Sequence, residues 1–546
     1  MMRRFGFVFL MSCLLMWGQI VVAQSLPDQI RISLEKATQE KPNLLDGIPL
    51  KKTETVFQFY ALNGFEPQWS SGGILAEQAY ELRFEIQQAK YDGLRPADYH
   101  LSYLSGFLES FDQRKKANES IESSELAKID ILLTDAFFEL AEDLEWGRIN
   151  PALLRTPWSI PRKSLKEDHG KLLLESLHAK SIRSGLAKLY PKTPIYRKGK
   201  QLIRELEDQD KSLSIDWKPI KTDRSFKVGD SNPLIVQVRE RLAFWGYSSV
   251  GLPQDSKFFD SLLWKEVVRF QMEKGLAGDG VLGRLTLAAL NESPDLLINK
   301  IKVNLERLRW IPAHFFEEEA ILVNIPSFQL MYHSGSDTLF TTKVIVGTLK
   351  HQSPVFTASM SYLVMSPYWN IPSSIARNET LPAIRKNPGY LERNHMEVVT
   401  AAGNPVPKSQ INWNARPFPY LIRQKPGPDN ALGLVKFMFP NPYNVYLHDT
   451  PAKQLFDREV RTFSHGCIRM QHPRAFAELL LKNMPEWTTE RIWEAMNQSK
   501  EQIVYLDKKI PVAVIYLTFV TDSKGYPIFR QDVYNRDLEV LTLLNR

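Results

Sequence analysis

The residues best placed to do chemistry are one thiol and two imidazoles. Of the two cysteines, Cys13 lies in an apolar N-terminal run, and Cys467 stands alone in Ser464-His465-Gly466-Cys467-Ile468-Arg469. Upstream, Val445-Tyr446-Leu447-His448-Asp449-Thr450 closes an apolar stretch, with 15 residues between His448 and Ser464. A thiol attacks acyl groups as thiolate, and an ordinary cysteine, with a pKa of about 8.5, is mostly protonated at neutral pH. A histidine within hydrogen-bond reach takes that proton and later returns it to the leaving group. The spacing is long enough for a loop to return Cys467 to a strand that ends at His448. Gly466 has no side chain, so an acyl carbonyl can approach the backbone there. The N–H groups around Gly466 and Cys467 are candidate oxyanion donors, each worth about 2.7–4 kcal/mol.

Plainer readings of the same residues stand beside this one. An unpaired cysteine can be an inert member of a core. His448, His465, Asp449 and Cys467 could hold zinc, although His465 and Cys467 are one residue apart and the paired ligands of structural zinc sites are missing. His465 is either a satisfied loop or core group or part of the site. Arg469 is either a surface cation or a bidentate clamp for a substrate carboxylate.

The histidine, the spacer and the Ser-His-Gly-Cys run together resemble the catalytic signature of L,D-transpeptidases. Val344-Ile345-Val346-Gly347, Ser353-Pro354-Val355-Phe356, Pro367-Tyr368-Trp369-Asn370-Ile371-Pro372, Asn430-Ala431-Leu432-Gly433 and Lys436-Phe437-Met438-Phe439-Pro440 extend the resemblance. It implies that Cys467 is the nucleophile and His448 its base. Gly466 and the backbone around it would form the oxyanion hole, while His465, Arg469, Tyr446 and Ser464 would meet substrate. The implied reaction is acyl transfer between peptidoglycan stems: Cys467 expels D-Ala from a tetrapeptide, and the side-chain amine of a second stem leaves a 3→3 cross-link. No metal or organic cofactor is implied. Carbapenem β-lactams would be inhibitors, and cell-wall synthases or carboxypeptidases possible partners. Hydrolysis by the same residues, an L,D-carboxypeptidase, and a non-enzymatic wall-binding scaffold are the alternatives.

These residues need elements to position them. Val267-Val268-Arg269-Phe270-Gln271, Gly275-Leu276, Asp279-Gly280-Val281-Leu282-Gly283 and Thr286-Leu287-Ala288-Ala289-Leu290 resemble a three-helix peptidoglycan-binding module, assigned to residues 231–292. After residue 316 the period becomes that of strands, with a hairpin turn at Ser334-Gly335-Ser336-Asp337. The segments Tyr362–Met365, 434–439, 444–447 and 512–520 are further strand candidates. A polar, Pro-containing stretch, 373–415, interrupts them and reads as a lid. Upstream, residues 45–215 have a helical period, clearest from Ile129 to Leu144 and stopped by Gly147 and Asn150-Pro151. The acidic residues Glu139, Glu142, Asp143 and Glu145 on that helix read as a solvated face. Residues 216–230 read as a linker. The expected architecture is an α+β multidomain chain: an α-helical scaffold domain, the three-helix module, and a mostly β catalytic domain over 316–546 with a capping insertion.

Arg3, Arg4 and the apolar run to Met16, followed by Val21-Val22-Ala23, read as an export signal over residues 1–23. An uncleaved inner-membrane anchor and a lipoprotein signal at Cys13 are the alternatives. Residues 24–44 read as a loose leader, and the expected location is the periplasm. A hydrophobic fraction of 43% with 24% charged residues excludes a disordered or fibrous chain. Lys and Arg number 69 against 62 Asp and Glu, a net charge of +7 without a long basic block. That pattern argues against nucleic acid and suits an anionic polymer or membrane face. Layout and location of this kind resemble the large periplasmic L,D-transpeptidases of Gram-negative bacteria.

Overall fold

The computed structural model describes residues 25–39, 43–161, 168–213, 215, 217–247, 255–274 and 276–546. The segment read as an export signal lies outside the described residues. Among those described, no helix is long and apolar enough to cross a membrane. The chain forms two compact units, one from the segments up to Ile86, Ala97–Leu140 and His169–Gly185, the other from Gln87–Pro96, Ala141–Asp168 and Leu186–Arg546.

The first unit is helical. The leader expected to be loose contains a helix, Leu26–Gln39, because Ile30, Leu34 and Ala37 recur at helical steps and are buried. The periodic stretch forms the helix Ser123–Trp146, which belongs to this unit as far as Leu140 and to the second from Ala141, and Gly147 follows it at φ 85°. Its acidic residues are not a solvated face, since Asp143 and Glu145 are buried. The helix is enclosed on most sides, with Ile131, Leu132, Phe137, Phe138 and Ala141 all buried. A periodic stripe marks the most apolar face but does not say how much of the rest is covered. Asp130 and Asp135 show the same thing, being fully buried on this helix. Asp130 accepts from Tyr60 Oη (2.5 Å), Gln68 N and Trp69 N. Asp135 accepts from Lys51 N and Lys52 N and pairs with His100.

In the second unit, helices Leu234–Phe244, Ser261–Glu273 and Arg284–Leu290 share one apolar core. Ile220 and Phe226 belong to that core, and Phe226 bridges to Leu282, so the presumed linker is partly built into the module. The remainder is organised by strands: β1 (Trp158–Ser159), β2 (Ala320–Asn324), β3 (Gln329–Ser334), β4 (Asp337–Gly347), β5 (Val355–Met365), β6 (Trp369–Asn370), β7 (Met396–Val399), β8 (Leu421–Gln424), β9 (Val435–Met438), β10 (Leu447–His448), β11 (Thr462–Ser464), β12 (Ile468–Met470) and β13 (Gln502–Ile515). Pairing runs β9–β10–β12–β4–β3–β2–β13–β5 and returns to β9, a closed circuit that leaves no free edge along it. Strand β1 lies parallel to β5, and β11 parallel to β4. Helix Pro294–Trp310 packs its apolar residues into the same core as the barrel strands.

The strand expected over 444–447 begins only at Leu447, because a turn comes first. Asn441 Nδ2 donates to the carbonyls of Phe439 and Val445, and Asn444 has φ 53°. The insertion is a folded subdomain wider than 373–415. Its sheet, β6–β8–β7, includes both stems, and Ile371, Leu381, Ile384, Leu391, Val398 and Ile422 are part of its own core. Asn430 ties the stems together by donating to the carbonyls of Pro367 and Lys425.

Candidate active site

One pairing brings the reactive residues together. Strands β10 and β12 run parallel, with Leu447 opposite Ile468 and His448 opposite Arg469. The alternation of strand side chains then sets Tyr446 and His448 on one face, their rings 5.7 Å apart. Cys467 lies just before β12, in the turn that leaves β11. These residues line a cavity of about 610 Å³, together with Trp369, Ile375 and Glu379 of the insertion and its stem.

Internal hydrogen bonds shape the loop around Cys467. Ser464 Oγ donates to the Cys467 carbonyl at 2.5 Å and accepts from Gly466 N at 3.1 Å. Gly466 has φ 113°, a conformation that L side chains rarely adopt, so this turn requires glycine. Its carbonyl accepts from Ser353 Oγ (2.7 Å), which in turn accepts from Gly347 N (3.0 Å). Tyr534 Oη donates to the Gly347 carbonyl and accepts from Ser353 N, fastening this support from behind. Ser464 lines the cavity, buried, with its hydroxyl engaged inside the loop, where it holds the turn. One expectation changes as a result. The Gly466 N–H is occupied by Ser464 and is not an oxyanion donor. The Cys467 N–H, by contrast, donates to no acceptor among the described residues.

His448 is buried, and its Nδ1 faces the Asp449 carbonyl at 2.5 Å. A carbonyl only accepts, so Nδ1 carries the hydrogen and Nε2 is left with a lone pair. Burial, assisted by the Arg469 charge, lowers its pKa to about 3. Burial also raises the Cys467 thiol, against donors from Tyr446 and the charge of Arg469. The resting pair is therefore a neutral thiol and a neutral imidazole. No hydrogen bond joins them here; Sγ lies 3.8 Å from the Asn444 carbonyl.

Arg469 is a cavity residue and not a surface cation. It forms no ion pair among the described residues, its Nε is buried without a partner, and burial lowers its pKa. His465 is half-exposed: Nε2 lies 3.2 Å from Glu379 Oε1, and its ring lies 5.0 Å from that of His351. The zinc alternative needs Asp449, whose carboxylate already accepts from Leu434 N, Thr450 N and Lys453 Nζ. Sequence reasoning did not single out His351, Glu379 or Tyr534. Tyr534 had no local signal, since it reaches the site only through the fold.

Residues 318–491 match the family model of the L,D-transpeptidase catalytic domain. Residues 231–290 match a domain provisionally described as peptidoglycan binding, and residues 54–202 a scaffold domain. A Haemophilus influenzae protein, provisionally named an L,D-transpeptidase, is 31% identical over 315 residues, 56% of this chain and 63% of that protein. The chain thus spans less than two thirds of that relative's length. Solved L,D-transpeptidases of Xylanimonas cellulosilytica and Stackebrandtia nassauensis are each 13% identical to it. They cover 54% and 53% of this chain and 99% and 94% of their own, at TM-scores of 0.16 and 0.19, too low to bear on the fold. Residues 318–491 are thus similar to the L,D-transpeptidase catalytic domain, residues 231–290 to a peptidoglycan-binding domain and residues 54–202 to a scaffold domain.

Proposed function

We propose that this protein is a cysteine acyltransferase that joins peptidoglycan stems by 3→3 cross-links. The observation that carries this reading is the parallel register of β10 and β12, which aligns His448 and Arg469 next to Cys467 in one roofed cavity. The sulfur attacks the carbonyl of the third residue of a tetrapeptide donor while its proton passes to His448 Nε2. Burial favours the neutral form of both partners, so the proton leaves sulfur for His448 as the sulfur attacks. The Cys467 N–H receives the oxyanion, and Arg469 holds a donor carboxylate. The intermediate collapses to a thioester, and His448 returns the proton to the departing D-Ala amine. The side-chain amine of a second stem then attacks. The C–N bond forms, the C–S bond breaks, and the amine proton returns to sulfur through His448.

The module would keep the enzyme on its polymer, and export would place it in the periplasm beside the synthases and carboxypeptidases that make and trim stems. A carbapenem would acylate Cys467, its β-lactam carbonyl standing in for that of the stem. Incubation with purified disaccharide-tetrapeptide tests the reading. Mass spectrometry should find a Cys467 adduct, released D-Ala and a 3→3 dimer in excess of tripeptide. Tripeptide without dimer makes the protein an L,D-carboxypeptidase, and the absence of any adduct overturns the acyl chemistry.

A further inference from the structure

The cavity above Cys467 has a charge that acylation leaves unused. Among the described residues that line it, Arg469 is the one Lys or Arg and Glu379 the one carboxylate. Glu379 does not belong to the barrel. It lies in the insertion, in a π-helical turn, Ala376–Thr380, set between the helices Ser373–Ile375 and Leu381–Lys386. Such turns are rare and recur at functional sites. Here Leu381 and Ile384 stay in the insertion's core while Asn378 and Glu379 reach the cavity. The Glu379 side chain is 57% exposed, and its one partner among the described residues is His465, at 3.2 Å. An ionised carboxylate has about four acceptor positions, so most of its capacity stays open.

We propose that Glu379, beside His465, is the binding site for the acceptor: it receives the primary ammonium on the side chain of the incoming stem. The inference rests on the acyl-transfer reading and names what selects the second substrate. An alkyl amine with a pKa near that of lysine, about 10.4, arrives as ammonium at neutral pH. A carboxylate in the cavity draws that cation toward the thioester, whereas water carries no charge for it to recognise. Loss of one proton to solvent frees the amine. It attacks the thioester carbonyl, the C–S bond breaks, and its second proton reaches sulfur through His448. Glu379 thereby favours transfer over hydrolysis.

The test supplies donor and acceptor separately, as isotope-labelled disaccharide-tetrapeptide and unlabelled disaccharide-tripeptide. Two quantities are read: the Cys467 acylation rate by intact mass, and the acceptor KM for labelled–unlabelled dimer. Glu379→Gln keeps an acceptor for His465 but removes the charge. It should raise the acceptor KM three- to tenfold and the fraction of labelled tripeptide, with acylation within twofold of wild type. His465→Phe breaks the contact but leaves the carboxylate, and should move the acceptor KM less. A wild-type KM in Glu379→Gln overturns the inference while the cross-linking reading stands. Equal losses in the two variants also overturn it, marking the pair as a latch. Wild-type enzyme that acylates but forms no dimer defeats both readings together.

Discussion

The first unit and the active-site cavity both bury ionisable groups, and they treat them in opposite ways. Asp130 is fully buried yet accepts from a tyrosine hydroxyl and two backbone N–H groups, and Asp135 from two backbone N–H groups and a histidine. These carboxylates tie loops to a helix. In the cavity, Arg469 keeps a buried Nε without a partner, the Cys467 N–H has no acceptor among the described residues, and His448 keeps a lone pair on Nε2. Burial with every partner supplied makes a brace. Burial with partners withheld leaves groups that a substrate can satisfy, which is the condition for chemistry.

The largest expected effect breaks the cavity side of this comparison. Cys467→Ala should abolish the acyl adduct and the dimer, as read by intact mass, while circular dichroism stays that of wild type. His448→Ala should slow carbapenem acylation by about two to four orders of magnitude, the usual worth of a general base. An unchanged rate would mean that another group takes the thiol proton.

Acid separates the two regions by sign. The His448 pKa falls from 6.5 unfolded to about 3 folded, so its contribution is present above pH 6.5 and is lost as pH drops toward 3. That loss amounts to about 5 kcal/mol at full protonation. His448→Gln should flatten the acid sensitivity of the second unit. Burial instead raises Asp130 from 3.8 to about 6, so its contribution is present below pH 3.8 and is lost as pH rises through 6. The change is about 3 kcal/mol. Asp130→Asn should flatten that slope in the first unit and leave Cys467 acylation untouched. Thermal melts of each variant from pH 3 to 7 check both signs. The smallest effect belongs to the roof. Replacing residues 372–420 with a short Gly/Ser linker should raise the ratio of tripeptide to dimer a few-fold, and should affect acylation by a small carbapenem less.

Much of this molecule was legible in one dimension. Helix periods located Ser123–Trp146 and the three module helices, because a stripe of apolar residues must face something. The Ser464–Cys467 run and His448 stood out as chemistry because a lone thiol near two imidazoles has few other uses. Local signals misled where cover was decided from elsewhere. Charge alone makes the acidic residues of the long helix look solvated, yet Asp143 and Glu145 are buried. Polarity alone makes residues 24–44 look loose, yet the helix Leu26–Gln39 buries Ile30, Leu34 and Ala37.

Sequence alone determined the candidate reactants: a thiol, an imidazole, a glycine in the turn and a cation, all carried by residue type and short spacing. It also determined that an interruption separates strands in the catalytic half. Only the tertiary structure decided what those groups are free to do. The Gly466 N–H is occupied because Ser464 folds back on it, His448 is neutral because the barrel buries it, and Ser353 and Tyr534 hold the loop from distant parts of the chain. Glu379 met His465 because an insertion 86 residues away folds over the cavity. Residue type sets which protons can move, and three-dimensional packing sets the dielectric and the hydrogen bonds that decide which of them do.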